Sequence, residues 1–245
     1  MPHQRLVLLS GWGIDQRIWQ LLDGYWPSQL LPQAVEWSGY GDAPALPPKA
    51  TLAQLAEPMA DALPSDAIWV GWSLGGLLAT ALLDYLDAPK GLILLGAGAT
   101  FCTDDGVTVA ELKAFQRAFL RNPAATWQHF LRWQTQGEPN PRRAYQQLRG
   151  VLGDTPPANN STLADGLHWL ATLDNRSRLA APPCPVVRLT GEHDPLVGPD
   201  QRGVSDILSD VGHCPMLSHP PALTAAIAHI AAHFSQVAHA NTAAL

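Results

Sequence analysis

The sequence predicts an α/β protein with a mostly parallel central sheet, flanked by helices and interrupted by a helical insertion. Three observations predict it. Short apolar runs recur at 6–9, 67–70, 91–96 and 185–191, and runs without polar alternation mark strands buried on both faces. Helix-length segments separate the early runs, as βαβ crossovers require. That alternation then stops between 99 and 178, where helical patterns follow one another with no convincing strand. The expected division is a core of 1–98 with 179–245 and a helical cap insertion of 99–178. An insertion after a strand falls where α/β ligand sites form.

Each element has its own signal. Residues 6–9, closed by Ser10-Gly11-Trp12-Gly13, read as the first strand, followed by a helical segment at 15–22. A weaker strand is expected at 34–37, before the loop SGYGDAPALPP. Thr51 opens a helix to about residue 63, with Gln54 placed for a capping box. A strand at 67–70, a helix at 74–87 and a strand at 91–96 follow. In the insertion, helices are expected at 107–121, 123–135, 141–152 and 159–173. Thr108 with Glu111 suggests a second capping box, and Asn122-Pro123 an N-cap followed by proline at the first helical position. Residues 185–191 resume the buried-strand pattern, and 205–209 make a short last strand. A closing amphipathic helix covers 220–234, with 235–245 expected to fray.

Composition narrows the function classes. With 47% hydrophobic residues the 245-residue chain can bury a large core. Its net charge of −6 argues against nucleic-acid binding, which needs a basic face. Cys102, Cys184 and Cys214 form no CxxC pair and suit a reducing compartment. The apolar run in MPHQRLVLLSGWG is too short for a signal-peptide core, and no run approaches a membrane span. A cytoplasmic monomer without membrane attachment is expected. No HExxH is present, and no metal or cofactor is expected.

The chemistry centres on Ser73. Gly71-Trp72-Ser73-Leu74-Gly75 matches G-x-S-x-G between an expected strand and an expected helix. The alternative is a helix-capping serine. A nucleophilic serine needs a base, and the base an acid to fix its tautomer, in chain order Ser, Asp or Glu, His. Asp194 follows a late strand and His213 the last short strand, in that order. Glu192 and His193 flank Asp194 but should point elsewhere; His219 reads as turn or cap, and His229 and His233 as surface or packing residues. The oxyanion donors are expected to be the amides of Leu74 and Trp12. Trp127, Trp133, Trp169 and Phe130 sit at helical spacing in the insertion, as core or as ligand lining.

With these residues the sequence resembles the α/β-hydrolase superfamily over nearly its whole length. Within it, LVLLSGWG, IWVGWSLGGLLA, FLRWQTQGE, VVRLTGEHDPLV and GHCPMLSHP resemble the pimeloyl-[acyl-carrier protein] methyl ester carboxylesterases of biotin synthesis. The resemblance implies removal of a methyl group from an ester on a pimeloyl chain carried by acyl-carrier protein. It implies substrate contacts at Trp12, Ser73, Leu74, Phe130, Leu131, Arg132, Trp133, Gln134 and His213, and cap residues that hold an acidic carrier. Arg132, Arg142, Arg143 and Arg149 cluster in the insertion, a charge asymmetry that suits an acidic partner, or else a solvated helix face. Ser10-Gly11 stands where the family has His-Gly, VEWSGYGDA lacks the common Asp-x-x-Gly form, and the family's leading strands are expected to be absent or trimmed. A generic short-chain carboxylesterase, a menaquinone-pathway lyase on the same triad, and a triad-bearing ligand receptor are the rival readings.

Overall fold

The structure, a computed structural model, describes residues 3–243, with side chains described through Gln236. Among these residues, β1 (Gln4–Leu9), β2 (Leu30–Val35), β3 (Ile68–Trp72), β4 (Gly91–Leu95), β5 (Val186–Gly191) and β6 (Asp206–Leu208) form one sheet. The order is β2-β1-β3-β4-β5-β6 and every neighbouring pair is parallel. The chain leaves β1 towards one edge and returns to start β3 on its other side. That reversal opens a crevice beyond the carboxyl ends of β1 and β3, the place where open α/β sheets bind ligands.

The central strands β3 and β4 are buried at every position, which explains their unbroken apolar runs. Helix α1 (Leu52–Met59) has the Thr51–Gln54 capping box in place. Helix α2 (Leu74–Leu82) is buried all round, as its leucine, alanine and glycine composition requires. Between β4 and β5 come α3 (Val109–Arg121), α4 (Pro123–Gln134), α5 (Pro141–Leu152), α6 (Asn160–Thr172) and α7 (Arg176–Ala180). Thr108, Asn122, Asn140 and Asn159 each accept an amide hydrogen of the first turn they cap, contacts each worth about 1 kcal/mol. The chain closes with α8 (Pro199–Arg202), α9 (Pro215–Ser218) and α10 (Pro220–Ala243). No helix of the described residues is long and apolar enough to cross a membrane.

Two expectations are corrected. The second strand lies at Leu30–Val35 rather than 34–37, and it contains Pro32. Because β2 is an edge strand, Pro32 costs the ladder little, but a proline within the run hides the strand from pattern reading. The tail expected to fray from residue 235 is assigned to α10 through Ala243; residues 244–245 lie outside the described residues. The Gln4 side-chain amide donates to the Ala231 carbonyl at 3.0 Å and to the Ser235 hydroxyl, tying this helix to β1. The short helices α7, α8 and α9 carry no sequence signal of their own length.

Just after β2, Glu36 accepts the Gln16 amide hydrogen at 3.2 Å. Burial, with Asp15 and Asp42 nearby, raises its carboxyl to about 7 against the Gln16 bond and Arg17, which lower it. An unfolded glutamate ionises near 4.3, so the folded chain holds this proton more tightly and stability falls as pH rises from about 4.5 to 7. Glu36→Gln removes that loss. Its advantage in melting temperature over wild type should grow between pH 4.5 and pH 8 to ~2–4 °C in thermal scans, about 1 kcal/mol once solvent screening is discounted.

Candidate active site

Ser73 is the single residue between the end of β3 and the start of α2. Its N–H donates to the Leu95 carbonyl at 2.9 Å, continuing the sheet, while its carbonyl accepts from Gly76 and Leu77 at 3.0 and 3.3 Å, beginning the helix. Serving both at once forces φ 57° and ψ −125°, a conformation that a residue with a β-carbon adopts only when its surroundings impose it. Here they do: a β-carbon on Gly71 would lie 2.5 Å from Gly76 Cα. Ser73 holds the N-cap position of α2 yet makes no side-chain capping bond. The capping alternative therefore fails, and the hydroxyl is left facing the crevice region.

Asp194 and His213 are 1% exposed each. Asp194 follows β5, and its Oδ1 accepts the Leu196 amide hydrogen at 2.8 Å. Its Oδ2 lies 2.8 Å from His213 Nδ1, which leaves Nε2 as the ring's second nitrogen. Gly96, at the end of β4, has φ 56°, and a β-carbon there would stand 3.0 Å from the His213 ring and 3.1 Å from Asp194 Oδ2. Ser73 and Gly96 line one pocket with Leu196. The three predicted residues thus converge on the carboxyl ends of β3, β4 and β5. His213 Nε2 and Ser73 Oγ make no hydrogen bond with each other or with any described residue; Ser–His bonds of this kind often tighten only with substrate.

Trp72 is bonded to the loop that carries His213. Its Nε1 donates to the His213 carbonyl at 2.8 Å, and the two rings lie 5.4 Å apart. Ser10, the residue in place of histidine, is a hub: its hydroxyl accepts from Trp19 Nε1 at 3.0 Å and donates to the Asp15 carbonyl at 3.1 Å, while its carbonyl accepts from Trp37 Nε1 at 2.9 Å. Those bonds hold the loop after β1 against Ser73, where a β-carbon on Gly11 would lie 2.9 Å from Ser73 Cβ. Sequence reasoning missed Gly96 and the roles of Ser10 and Trp72. Trp72, set inside the serine motif, and Ser10, standing where the resembled family has histidine, gave a signal, and Gly96 gave none.

The helices between β4 and β5 are fastened to the same loop. Trp12 Nε1 donates to the Leu163 carbonyl and Trp127 Nε1 to the Gly13 carbonyl, both at 2.8 Å. The Trp12 indole meets Phe115, Phe119 and Phe130 edge-on at 5.6, 5.8 and 5.1 Å, and Phe130 meets Trp133 at 6.5 Å. Leu131 is fully buried in the core. Gln134 is buried, and its carbonyl accepts the Cys214 thiol at 3.7 Å. Burial, reinforced by the Glu138 and Asp194 carboxylates, pushes that thiol well above its usual range, so it stays protonated.

Arg132 is exposed and stacks over Tyr145 at 4.9 Å. It lines an open groove of ≈ 580 Å³ with Arg142, and a mainly apolar groove of ≈ 860 Å³ with Phe115 and Trp133. Arg143 is exposed, and Arg149 pairs with Asp154. Glu192 and His193 point away from the site, as expected, and meet Asp210 at the surface; the Asp210 amide already occupies Glu192 Oε2 at 3.1 Å. His229 and His233 are exposed.

A model described as the alpha/beta hydrolase family matches residues 6–227. The chain is 33% identical over 242 residues to the pimeloyl-[acyl-carrier protein] methyl ester esterase of Serratia marcescens, covering 93% of this chain and 94% of that one. It is 33% identical over 231 residues to the protein of the same name in Proteus mirabilis (strain HI4320), covering 88% and 87%. Among solved structures, an esterase from Exiguobacterium antarcticum superposes with a TM-score of 0.78 at 19% identity, covering 94% of this chain and 92% of that chain.

Replacing Trp72 by phenylalanine keeps the ring but strands the His213 carbonyl without its donor. Trp72→Phe should lose about 1–3 kcal/mol in urea unfolding, with the denaturant slope unchanged.

Proposed function

The chain belongs to the alpha/beta hydrolase family as a carboxylic ester hydrolase, and from that premise we propose that Ser73 is its nucleophile and the methyl ester of pimeloyl-acyl-carrier protein its substrate, in biotin biosynthesis. The observation that carries the reading is the buried 2.8 Å contact between Asp194 Oδ2 and His213 Nδ1, set beside a serine whose strained turn leaves its hydroxyl uncapped. With Nδ1 engaged by the carboxylate, Nε2 carries the lone pair that a general base needs.

In this reading Nε2 takes the Ser73 proton as Oγ bonds to the ester carbonyl carbon. The carbonyl oxygen becomes an oxyanion facing two amides. Leu74 opens α2, so its N–H has no intrahelical acceptor and sits at the positive end of the helix. The Trp12 amide likewise has no acceptor among the described residues. Losing one such donor typically costs about 3–4 kcal/mol of transition-state stabilisation. The carbon–oxygen bond to the methoxy group then breaks, His213 returns the proton to it, and methanol departs. Water attacks the acyl-enzyme by the same route, giving the carboxylic acid and free Ser73. No step uses a metal or cofactor.

Residues 99–178 act as a cap over this centre. The Trp12, Phe115, Phe130 and Trp133 cluster suits an aliphatic acyl chain, with Leu131 and Gln134 supporting the wall from the core. Arg132 borders both the apolar groove and the groove it shares with Arg142, so the chain and an acidic carrier could lie on either side of one guanidinium. Arg143 extends the positive face, whereas the charge of Arg149 is met by Asp154. The reading includes a monomer, and a cytoplasmic location that free Cys102, Cys184 and Cys214 suit. A short-chain carboxylesterase working without a carrier is the second reading. The pocket beside Ser73, with a volume of only ≈ 10 Å³, favours it.

Ser73→Ala should lower p-nitrophenyl acetate hydrolysis by on the order of 10⁴-fold or more; a mutant that keeps most of its rate overturns the mechanism. In a biotin auxotroph lacking the esterase, wild type should restore growth and Ser73→Ala should not. Failure of both points to the carrier-free esterase. Arg142→Glu should raise KM for the carrier-bound methyl ester about tenfold, more than for a small ester, and the gap should shrink in high salt.

A further inference from the structure

Glu138 lies four residues beyond the end of α4, and it is 4% exposed. No cationic side chain pairs with it among the described residues. A buried carboxylate without a counter-charge is costly unless its oxygens are well satisfied, and the partners of Glu138 are specific. Oε1 accepts the Cys214 amide hydrogen at 2.7 Å, and Oε2 accepts the Ser218 hydroxyl. Ser218 Oγ lies in turn 3.0 Å from His219 Nδ1. Hydrogen bonds to a carboxylate are roughly twice as strong as neutral ones.

The Cys214 amide belongs to the peptide unit that His213 begins. Its other end, the His213 carbonyl, accepts from Trp72 Nε1 at 2.8 Å. One peptide plane is therefore held at its oxygen by a side chain of β3 and at its nitrogen by a side chain of the helical segment between β4 and β5. Fixing that plane fixes the backbone from which the imidazole projects. The turn carrying Glu138 is also wedged between the two loops of the Asp–His pair. A β-carbon on Gly137 would collide with the His193 carbonyl, the residue before Asp194, and one on Gly212, the residue before His213, would lie 2.6 Å from the Gly137 carbonyl carbon.

We propose that Glu138 is a positioning residue for His213, the hydrogen-bond acceptor through which the cap holds the general base in register with Ser73. It touches neither substrate nor the reacting atoms. Its action is carried by the Cys214 amide, so what matters is an acceptor oxygen at the Oε1 position rather than negative charge. The inference rests on the ester-hydrolase reading of Ser73 and His213.

Two full-length variants separate acceptor from charge. Glu138→Gln keeps an oxygen at the same reach without charge, whereas Glu138→Asp keeps charge but withdraws the oxygen by one methylene. With p-nitrophenyl acetate, and rates normalised to reactive Ser73 by end-point titration with a fluorophosphonate, Glu138→Gln should retain kcat within about threefold. Glu138→Asp should lose about tenfold or more in kcat with KM changed less than twofold. Aspartate outperforming glutamine, equal loss in both, kcat unaffected in the aspartate variant, or a change confined to KM would each overturn the proposal. Ser73→Ala assayed alongside keeps the failures apart: if it retains the wild-type rate the nucleophile assignment falls, and if it is inactive while Glu138→Asp is normal only the role of Glu138 falls.

Discussion

A strand can hand over to a helix within one residue only where backbone meets backbone, and between Gly71 and Gly76 it does. The 2.5 Å that would separate a Gly71 β-carbon from Gly76 Cα leaves no room for a side chain. The left-handed backbone of Ser73 follows from that contact. So do the uncapped hydroxyl and the unpaired first amide of α2. The strain, of order 1–3 kcal/mol, is offset by bonds on both sides of the turn: the Leu95 carbonyl accepts from the Ser73 amide, and the amides of Gly76 and Leu77 donate to the Ser73 carbonyl.

Around that turn the sheet order decides which loops can meet. Because β1 and β3 are neighbours while their crossovers run to opposite edges, the loop after β1 reaches Ser73 from one side and the ends of β4 and β5 from the other. Gly96 lets the Asp194–His213 pair approach β4 closely. Indole N–H groups then bind the loops to one another: Trp72 to His213, Trp19 and Trp37 to Ser10, Trp127 to Gly13 and Trp12 to Leu163. Each fills core volume and satisfies a buried acceptor at once, which suits a chain with nine tryptophans.

What could be read in the sequence was local or ordered along the chain. The capping boxes at Thr51 and Thr108 involve residues three apart, and both formed as expected. The apolar runs located the buried strands, and the order of Ser73, Asp194 and His213 picked out residues that the fold brings together. What escaped notice depends on distant partners or on the position of a strand in the sheet. Pro32 is tolerable only because β2 is an edge strand. The bond from Trp72 joins residues 141 apart and that from Glu138 to Cys214 residues 76 apart. No periodicity encodes such contacts. Ser10 looked like a departure from a family pattern, and its role became visible only with the two indoles that converge on it.

The indole bonds of Trp12 and Trp127 run in opposite directions between the loop after β1 and the overlying helices. The space beside Ser73 is about that of one water, and its walls come from α2 and from the segments after β4 and β5 rather than from α4 or α6. The two indole bonds make the loop after β1 and the helices packed on it one mechanical unit: neither side can shift without leaving a buried carbonyl of the other short of its donor.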